Sequence, residues 1–186
     1  MNQTTDLSAE ITSMKNLLAT IALTVALALS ARAADVSAKL SGVHLCCGNC
    51  VKGVEAAVAK VPGATVTVDK DAGTVSLSGA DKATVQKAAN ALVAAGYFGQ
   101  SGDEGIKLNA RTGAKGQKLQ SLKVNGVHLC CGKCVTAVSE ALKTVPGVQA
   151  NTAAKNAESF EVTGDFNDKE VFAALQKAGL AGKVGK

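Results

Sequence analysis

The 186-residue chain has no tryptophan, one tyrosine and four phenylalanines, so any core it builds must be small and made of Val, Leu and Ala. Few aromatics, and lysines scattered without arginine clusters, leave neither the stacking platform nor the basic stripe that a nucleic-acid surface requires. The net charge of +5 therefore reads as an ordinary solvated surface. There are only two prolines, Pro62 and Pro146, and neither stands where a thioredoxin-like site would need its cis-proline. No Ser-His-Asp set, phosphate-binding loop or pair of carboxylates has positional support, so no enzyme class is indicated. The thiols are the reactive groups that remain.

Those thiols are concentrated twice. Gly42-Val43-His44-Leu45-Cys46-Cys47-Gly48-Asn49-Cys50-Val51 recurs 84 positions later as Gly126-Val127-His128-Leu129-Cys130-Cys131-Gly132-Lys133-Cys134-Val135, with only Asn49 and Lys133 differing. All six cysteines and both histidines lie in these segments, and each copy is followed at the same offset by Val-Pro-Gly, at Pro62 and Pro146. A disulfide framework spreads cysteines between distant elements; two compact triplets, each with an odd thiol, argue for ligation instead.

The N-terminus carries an export pattern. Met14-Lys15-Asn16 precedes an apolar run from Leu17 to Leu29 and then Ser30-Ala31-Arg32-Ala33, a small-x-small cleavage signature. The run is shorter than the roughly 20 residues of a membrane span. We therefore expect residues 1–33 to be a removable signal peptide, with 1–13 an upstream start extension, no stable membrane insertion of the mature chain, and a periplasmic or secreted location. The repeat divides the rest into a first domain at 34–108, a linker at 109–120 rich in Gly and basic residues, and a second domain at 121–186.

Each unit reads as strand, helix, strand, strand, helix and a weak last strand. Val36, Ala38 and Leu40 alternate before Gly42, as Leu122 and Val124 do before Gly126. The first helix then carries Val51, Val54, Val58 and Val61, repeated as Val135, Val138, Leu142 and Val145, a stripe that faces a sheet. Val-Pro-Gly ends it. Val66, Val68, Val75 and Leu77 flank an Asp69 to Gly73 hairpin turn, whereas the matching strands near Val148 and at Phe160 to Val162 are poorer. Helix two is capped by Asp81 and runs to Gly96; its counterpart runs from Asn167 to Gly179, about one turn shorter. Ile106 to Leu108 is the expected closing strand of the first unit.

The arrangement resembles the heavy-metal-associated domain family, through Cys47-Gly48-Asn49-Cys50-Val51-Lys52-Gly53-Val54-Glu55, the matching Cys131 to Val138 segment and the Val-Pro-Gly stops. The resemblance implies an α+β fold of two tandem ferredoxin-like βαββαβ domains and a soft-metal site at each Cys-x-x-Cys. Matched from the strand side, Val43 and Val127 would hold the family's buried methionine position, making Leu45-Cys46 and Leu129-Cys130 insertions; alternatively Leu45 and Leu129 hold it.

A Cys-x-x-Cys that opens a helix places its thiols at the positive dipole end, which favours the thiolate that binds metal. Cys47, Cys50, Cys131 and Cys134 are the primary ligand candidates. Cys46 and Cys130 are either third ligands or small loop thiols, and His44 and His128 either ligands or strand-end side chains. Two thiolates suit Cu(I) or Hg(II), whereas Cys₃ or Cys₃His is closer to what Zn(II) or Cd(II) requires. Tyr97, after helix two, is expected to pack. The expectation is a monomeric, non-enzymatic exported protein that holds Cu(I) or Zn(II), about one ion per domain, and exchanges it with a donor or acceptor protein. The alternatives are a thiol-disulfide oxidoreductase and an interaction module with a degenerate second domain.

Overall fold

A computed structural model describes residues 35–185, so the expected signal segment 1–33 lies outside the described residues. The first repeat unit forms β1 (Val36–Ser41), α1 (Gly48–Val58), β2 (Ala64–Asp69), β3 (Thr74–Gly79), α2 (Lys82–Ala94) and β4 (Gln100–Ser101). The second forms β5 (Lys118–Asn125), α3 (Gly132–Lys143), β6 (Val148–Asn151), β7 (Ser159–Asn167), α4 (Asp168–Lys177) and β8 (Lys183–Val184). The strand orders are β2-β3-β1-β4 and β6-β7-β5-β8, with every pairing antiparallel. These are two tandem ferredoxin-like α+β domains.

Alternation in β1 buries Ala38 and Leu40 on the face that meets the helices, and β5 does the same with Leu122 and Val124. The helices answer with apolar stripes: Val54, Ala57 and Val58 on α1, and Val85, Ala88, Ala89 and Leu92 on α2. The second domain repeats this with Val138, Ala141 and Leu142 on α3, and Val171, Phe172 and Leu175 on α4. Asp81 caps α2 by accepting from Thr84 N–H at 2.7 Å. Asp69 Oδ1 closes the β2–β3 hairpin by accepting from the N–H groups of Asp71 and Ala72.

Three expectations are corrected. The buried stripe of the first helices begins at Cys50 and Cys134, each fully buried, while Val51 and Val135 are only half-buried. The thiols are therefore the end of the core, one position round the helix from the valines. The fourth strand of the first sheet is Gln100–Ser101, paired with Leu40 and Ser41, and Ile106 is a core plug rather than a strand residue. Strand β5 begins at Lys118, so residues 118–120 of the expected linker belong to it, Lys118 and Leu119 pairing with Asn167 and Phe166 of β7. Patterning located these hydrophobic residues but not the backbone that carries them.

The second domain is the less regular one, as its poorer strands suggested. Its ladders shift register between Leu119 and Ser121 and between Val148 and Ala150. It also holds the buried charged residue Asp168, 4% exposed, at the start of α4. Asp168 accepts from the N–H groups of Lys115 (2.8 Å), Gly116 (2.7 Å) and Gln117 (2.9 Å), tying the end of the linker to the helix N-terminus.

The domains meet through the segments that follow α2 and α4. Tyr97 and Leu180 form an antiparallel bridge. Ala181 N–H donates to Gly96 O at 2.9 Å, and Gly179 O accepts from both Phe98 N–H (3.1 Å) and His44 N–H (3.2 Å). Gly96 and Gly179 have φ of +91° and +79°, which favours glycine, and a Cβ on either would strike backbone of the opposite domain. For Gly96 the obstacles are His128 N and Gly126 O; for Gly179 they are Gly42 O and His44 N. Each helix-ending glycine thus seats the strand-to-helix loop of the other domain.

Candidate metal centre

Gly42 and Gly126 (φ +70° and +75°) turn the chain off β1 and β5, and the next residues descend along the core edge. Val43, Leu45, Val127 and Leu129 are all buried, at 4–6% exposure. Each loop is thus held by two apolar anchors, Val43 and Leu45 in the first domain and Val127 and Leu129 in the second. With Leu45 and Leu129 turned into the core, Cys46 and Cys130 point the other way, toward the opposite domain.

Cys47 and Cys131 are the N-caps of α1 and α3, in extended conformation, and neither side chain makes the usual capping hydrogen bond. The thiols therefore sit beside the free N–H groups of a first helical turn. The backbone N–H of Cys50, close to the sulfur without closing a capping bond, is the main influence holding Cys47 below the usual thiol range. The corresponding N–H of Cys134, helped by the Cys46 thiol, brings Cys131 down to about 6. Cys46 and Cys130 move the opposite way, pushed up by burial first and then by donating to neighbouring thiolates. Cys134 is raised by burial.

The two loops meet. Cys46 Sγ lies 3.3 Å from Cys131 Sγ and 3.5 Å from Cys134 Sγ, nearer than the 3.6 Å to Cys50 in its own loop. Across the approximate two-fold relation, Cys130 Sγ lies 3.6 Å from Cys47 and 3.5 Å from Cys50, against 3.7 Å to Cys134. Cys50 and Cys134 face each other at 3.9 Å. Within each Cys-x-x-Cys the sulfurs are 3.8 and 3.9 Å apart. All six cysteines are free thiols; the three-ligand groups Cys46/Cys47/Cys131, Cys47/Cys50/Cys130 and His44/Cys46/Cys134 draw on both domains, whereas Cys130/Cys131/Cys134 lies within the second.

Of the two histidines, His44 is brought to this cluster, whereas His128 joins none of the ligand groups among the described residues and stacks on Tyr97 instead. A ring nitrogen of His44 lies within 4.8 Å of Cys46 Sγ and of Cys134 Sγ. Burial keeps both imidazoles below their ordinary pKa, His128 further through the charge of His44, so both are neutral at pH 7. The Nε2 atoms of both are buried without a hydrogen-bond partner. A buried orphan nitrogen beside soft sulfur is what a site built for a cation leaves open. The donor set, six thiols and the neutral His44 imidazole, fits a soft metal and offers nothing to a hard one.

Tyr97 does pack, and it does so on the site. It is 1% exposed, stacks on the His128 ring with centroids 4.6 Å apart, and donates its hydroxyl to Cys50 O at 2.9 Å. Gly53 makes room for it, since a Cβ there would strike the tyrosine hydroxyl. The second domain has Ala137 and Leu180 at the corresponding positions, so the larger and smaller pairs are exchanged together. Missed from sequence were the seats at Gly96 and Gly179; the signal was the shared Ala-Gly-apolar step after each second helix, Ala95-Gly96-Tyr97 and Ala178-Gly179-Leu180.

The model of the heavy-metal-associated domain matches residues 39–98 and again 121–180. The chain belongs to that family, twice over, and its matched segments contain every cysteine and both histidines. A comparison with curated proteins returned no match. Among solved structures, the chain is similar to the N-terminal domain of PacS from Synechocystis PCC6803, at 24% identity and TM-score 0.34, covering 37% of this chain and all of that one. It is similar to the apo heavy-metal-associated domain of the copper chaperone for superoxide dismutase, at 27% identity and TM-score 0.33, covering 47% and 86%. It is also similar to the N-terminal soluble domains of Bacillus subtilis CopA, at 16% identity and TM-score 0.29, covering 82% and 95%.

Proposed function

We propose that this chain is a non-enzymatic carrier of a soft metal ion, Cu(I) foremost, which it takes up at the facing cysteine loops and passes to a partner protein by stepwise thiolate exchange. One observation carries the reading: the six thiols of two loops 84 residues apart converge with nearest sulfurs 3.3–3.9 Å apart. Gathering six thiols at one point, two of them buried and four partly exposed, has no packing rationale that small apolar residues would not serve better, whereas soft cations bind sulfur of this density tightly. Cys47 and Cys131, exposed enough to be reached and biased toward thiolate, are the entry ligands; Cys50 and Cys134, at the core edge, complete the grip.

Zn(II) is the second candidate metal, and a partner docked on the open side of the loops is the second participant. We further propose that residues 1–33 direct export and are removed, leaving a monomeric protein outside the cytoplasm. Among the described residues no helix is long and apolar enough to cross a membrane. The N-terminal sequence of the protein recovered from an exporting host tests the leader, with Ala34 the expected first residue.

Binding is tested with the reduced full chain under anaerobic conditions, by competition for Cu(I) against a chromophoric chelator. Tight binding is expected, with strong loss in Cys47→Ser and Cys131→Ser; a reduced protein that leaves all the metal with the chelator refutes the reading. The thiol-disulfide alternative has one observation in its favour, the Cys131 thiol at about 6, in the range of exchanging nucleophiles. Insulin reduction by the metal-free protein would support it.

A further inference from the structure

We propose that the six thiolates form one cage for four Cu(I) ions, shared between the domains, in place of one ion in each. This rests on the soft-metal reading above and goes further, because the arrangement of the sulfurs dictates a stoichiometry. Cys46 contacts Cys50, Cys131 and Cys134; Cys130 contacts Cys47, Cys50 and Cys134; Cys47–Cys50, Cys131–Cys134 and Cys50–Cys134 complete the contacts, all at 3.3–3.9 Å. Cys46–Cys47, Cys47–Cys131 and Cys130–Cys131 lie within 4.8 Å.

Each sulfur thereby has four neighbours and one opposite: Cys46 faces Cys130 across the cluster, Cys47 faces Cys134, and Cys50 faces Cys131. That is the connectivity of an octahedron. Its alternate faces are the triangles Cys46/Cys47/Cys131, Cys47/Cys50/Cys130, Cys130/Cys131/Cys134 and Cys46/Cys50/Cys134. Every sulfur belongs to two of them and every edge to one. Cu(I) accepts three thiolates in a plane, and four such ions, one per alternate face, use each thiolate as a bridge between two metals.

The scale also fits. A metal–sulfur bond of about 2.3 Å puts the sulfurs of a planar three-coordinate site about 4.0 Å apart. The observed 3.3–3.9 Å contacts need to open by only a few tenths of an ångström on average. A tetrahedral ion fits less well, because any four corners of an octahedron include an opposite pair that cannot close on one metal. Loading exchanges six thiol protons for four monovalent copper ions with no change of oxidation state. The resulting excess of two negative charges faces the N-termini of α1 and α3, which begin at the caps Cys47 and Cys131. Cys46 and Cys130, lying outside the family's Cys-x-x-Cys, are corners on which two of the four metals each depend.

The test is anaerobic titration of the reduced full chain with Cu(I), read by native mass spectrometry. The expected result is a four-copper species at the mass of one chain, with the two-copper species minor at half saturation. Cys46→Ser should abolish the four-copper species, since two of its coppers lose a ligand. Saturation of the wild type at two coppers, with Cys46→Ser unchanged, overturns the cage and leaves the soft-metal reading standing. Four coppers found only on a two-chain assembly also overturn it, because the cage is built within one chain. Absence of any bound copper removes both proposals.

Discussion

Replacing Gly179 by alanine should separate the domains while leaving each one folded. The new Cβ would strike Gly42 O and come within 2.5 Å of His44 N, both backbone atoms that cannot swing aside. Part of the cost is purely local, because alanine at the Gly179 φ of +79° is strained by about 1 kcal/mol. Gly63→Ala isolates that part: its φ is +77°, and a Cβ there has no atom nearer than 4.0 Å. The remainder belongs to docking. Losing the bonds His44 N–H to Gly179 O, Phe98 N–H to Gly179 O and Ala181 N–H to Gly96 O, at about 1 kcal/mol each, removes roughly 3 kcal/mol. That corresponds to roughly a 100-fold shift toward the undocked form. Hydrogen exchange of the His44, Phe98 and Ala181 amides reads it directly. Their protection should fall by about two orders of magnitude in Gly179→Ala and stay close to wild type in Gly63→Ala. Equal protection in the two variants would refute the claim that this glycine seats the opposite loop.

Other consequences follow from single residues. Asp168→Ala should destabilise the second domain by about 3 kcal/mol in urea unfolding at pH 7, because three backbone N–H groups lose a buried carboxylate acceptor. Burial opposes ionisation of Asp168, but these N–H groups outweigh it and hold the carboxyl below its ordinary 3.8. Its contribution is therefore present above that value and lost as pH falls through the lower folded value, so the gap between variant and wild type should close in strong acid. Iodoacetamide at pH 7 should label Cys131 and Cys47 of the metal-free protein before Cys46 and Cys130, as mapped by mass spectrometry; uniform labelling would contradict the opposed thiol shifts. Gly53→Ala should displace Tyr97 from Cys50 O and cost about 2 kcal/mol, and Gly53→Ala with Tyr97→Leu should recover most of it, since the second domain pairs Ala137 with Leu180.

Local patterns carried far into this molecule. The duplicated segment, the Asp81 cap, the Asp69 to Gly73 hairpin and the Val-Pro-Gly stops each act within a few residues, and both domains could be drawn from them. Where patterning went astray, a neighbouring position competed for the same role: Val51 looked like the start of the buried stripe, but the helix is rotated so that Cys50 is. Ile106 looked like strand because a buried apolar residue in a loop and one in an edge strand share the same local signature.

The relation between the domains was not legible in that way, because contact between distant segments leaves no periodicity. Its trace was indirect. Cys46 and Cys130 have no partner within a Cys-x-x-Cys, and Gly96 and Gly179 have a left-handed φ with no room on the far side. Such residues acquire a reason only when the second copy of the fold is placed against the first. The added Leu-Cys step does two things at once: Leu45 and Leu129 anchor the loop in its own core, and the following thiol is delivered to the other domain.

X-ray absorption of the copper-loaded, reduced full chain tests the shared centre most directly, since it counts sulfur ligands at the metal and detects a second metal nearby. The cage predicts about three sulfurs per copper and a strong copper–copper scattering path. Two sulfurs per copper with no metal–metal path would place separate ions in separate loops and contradict it.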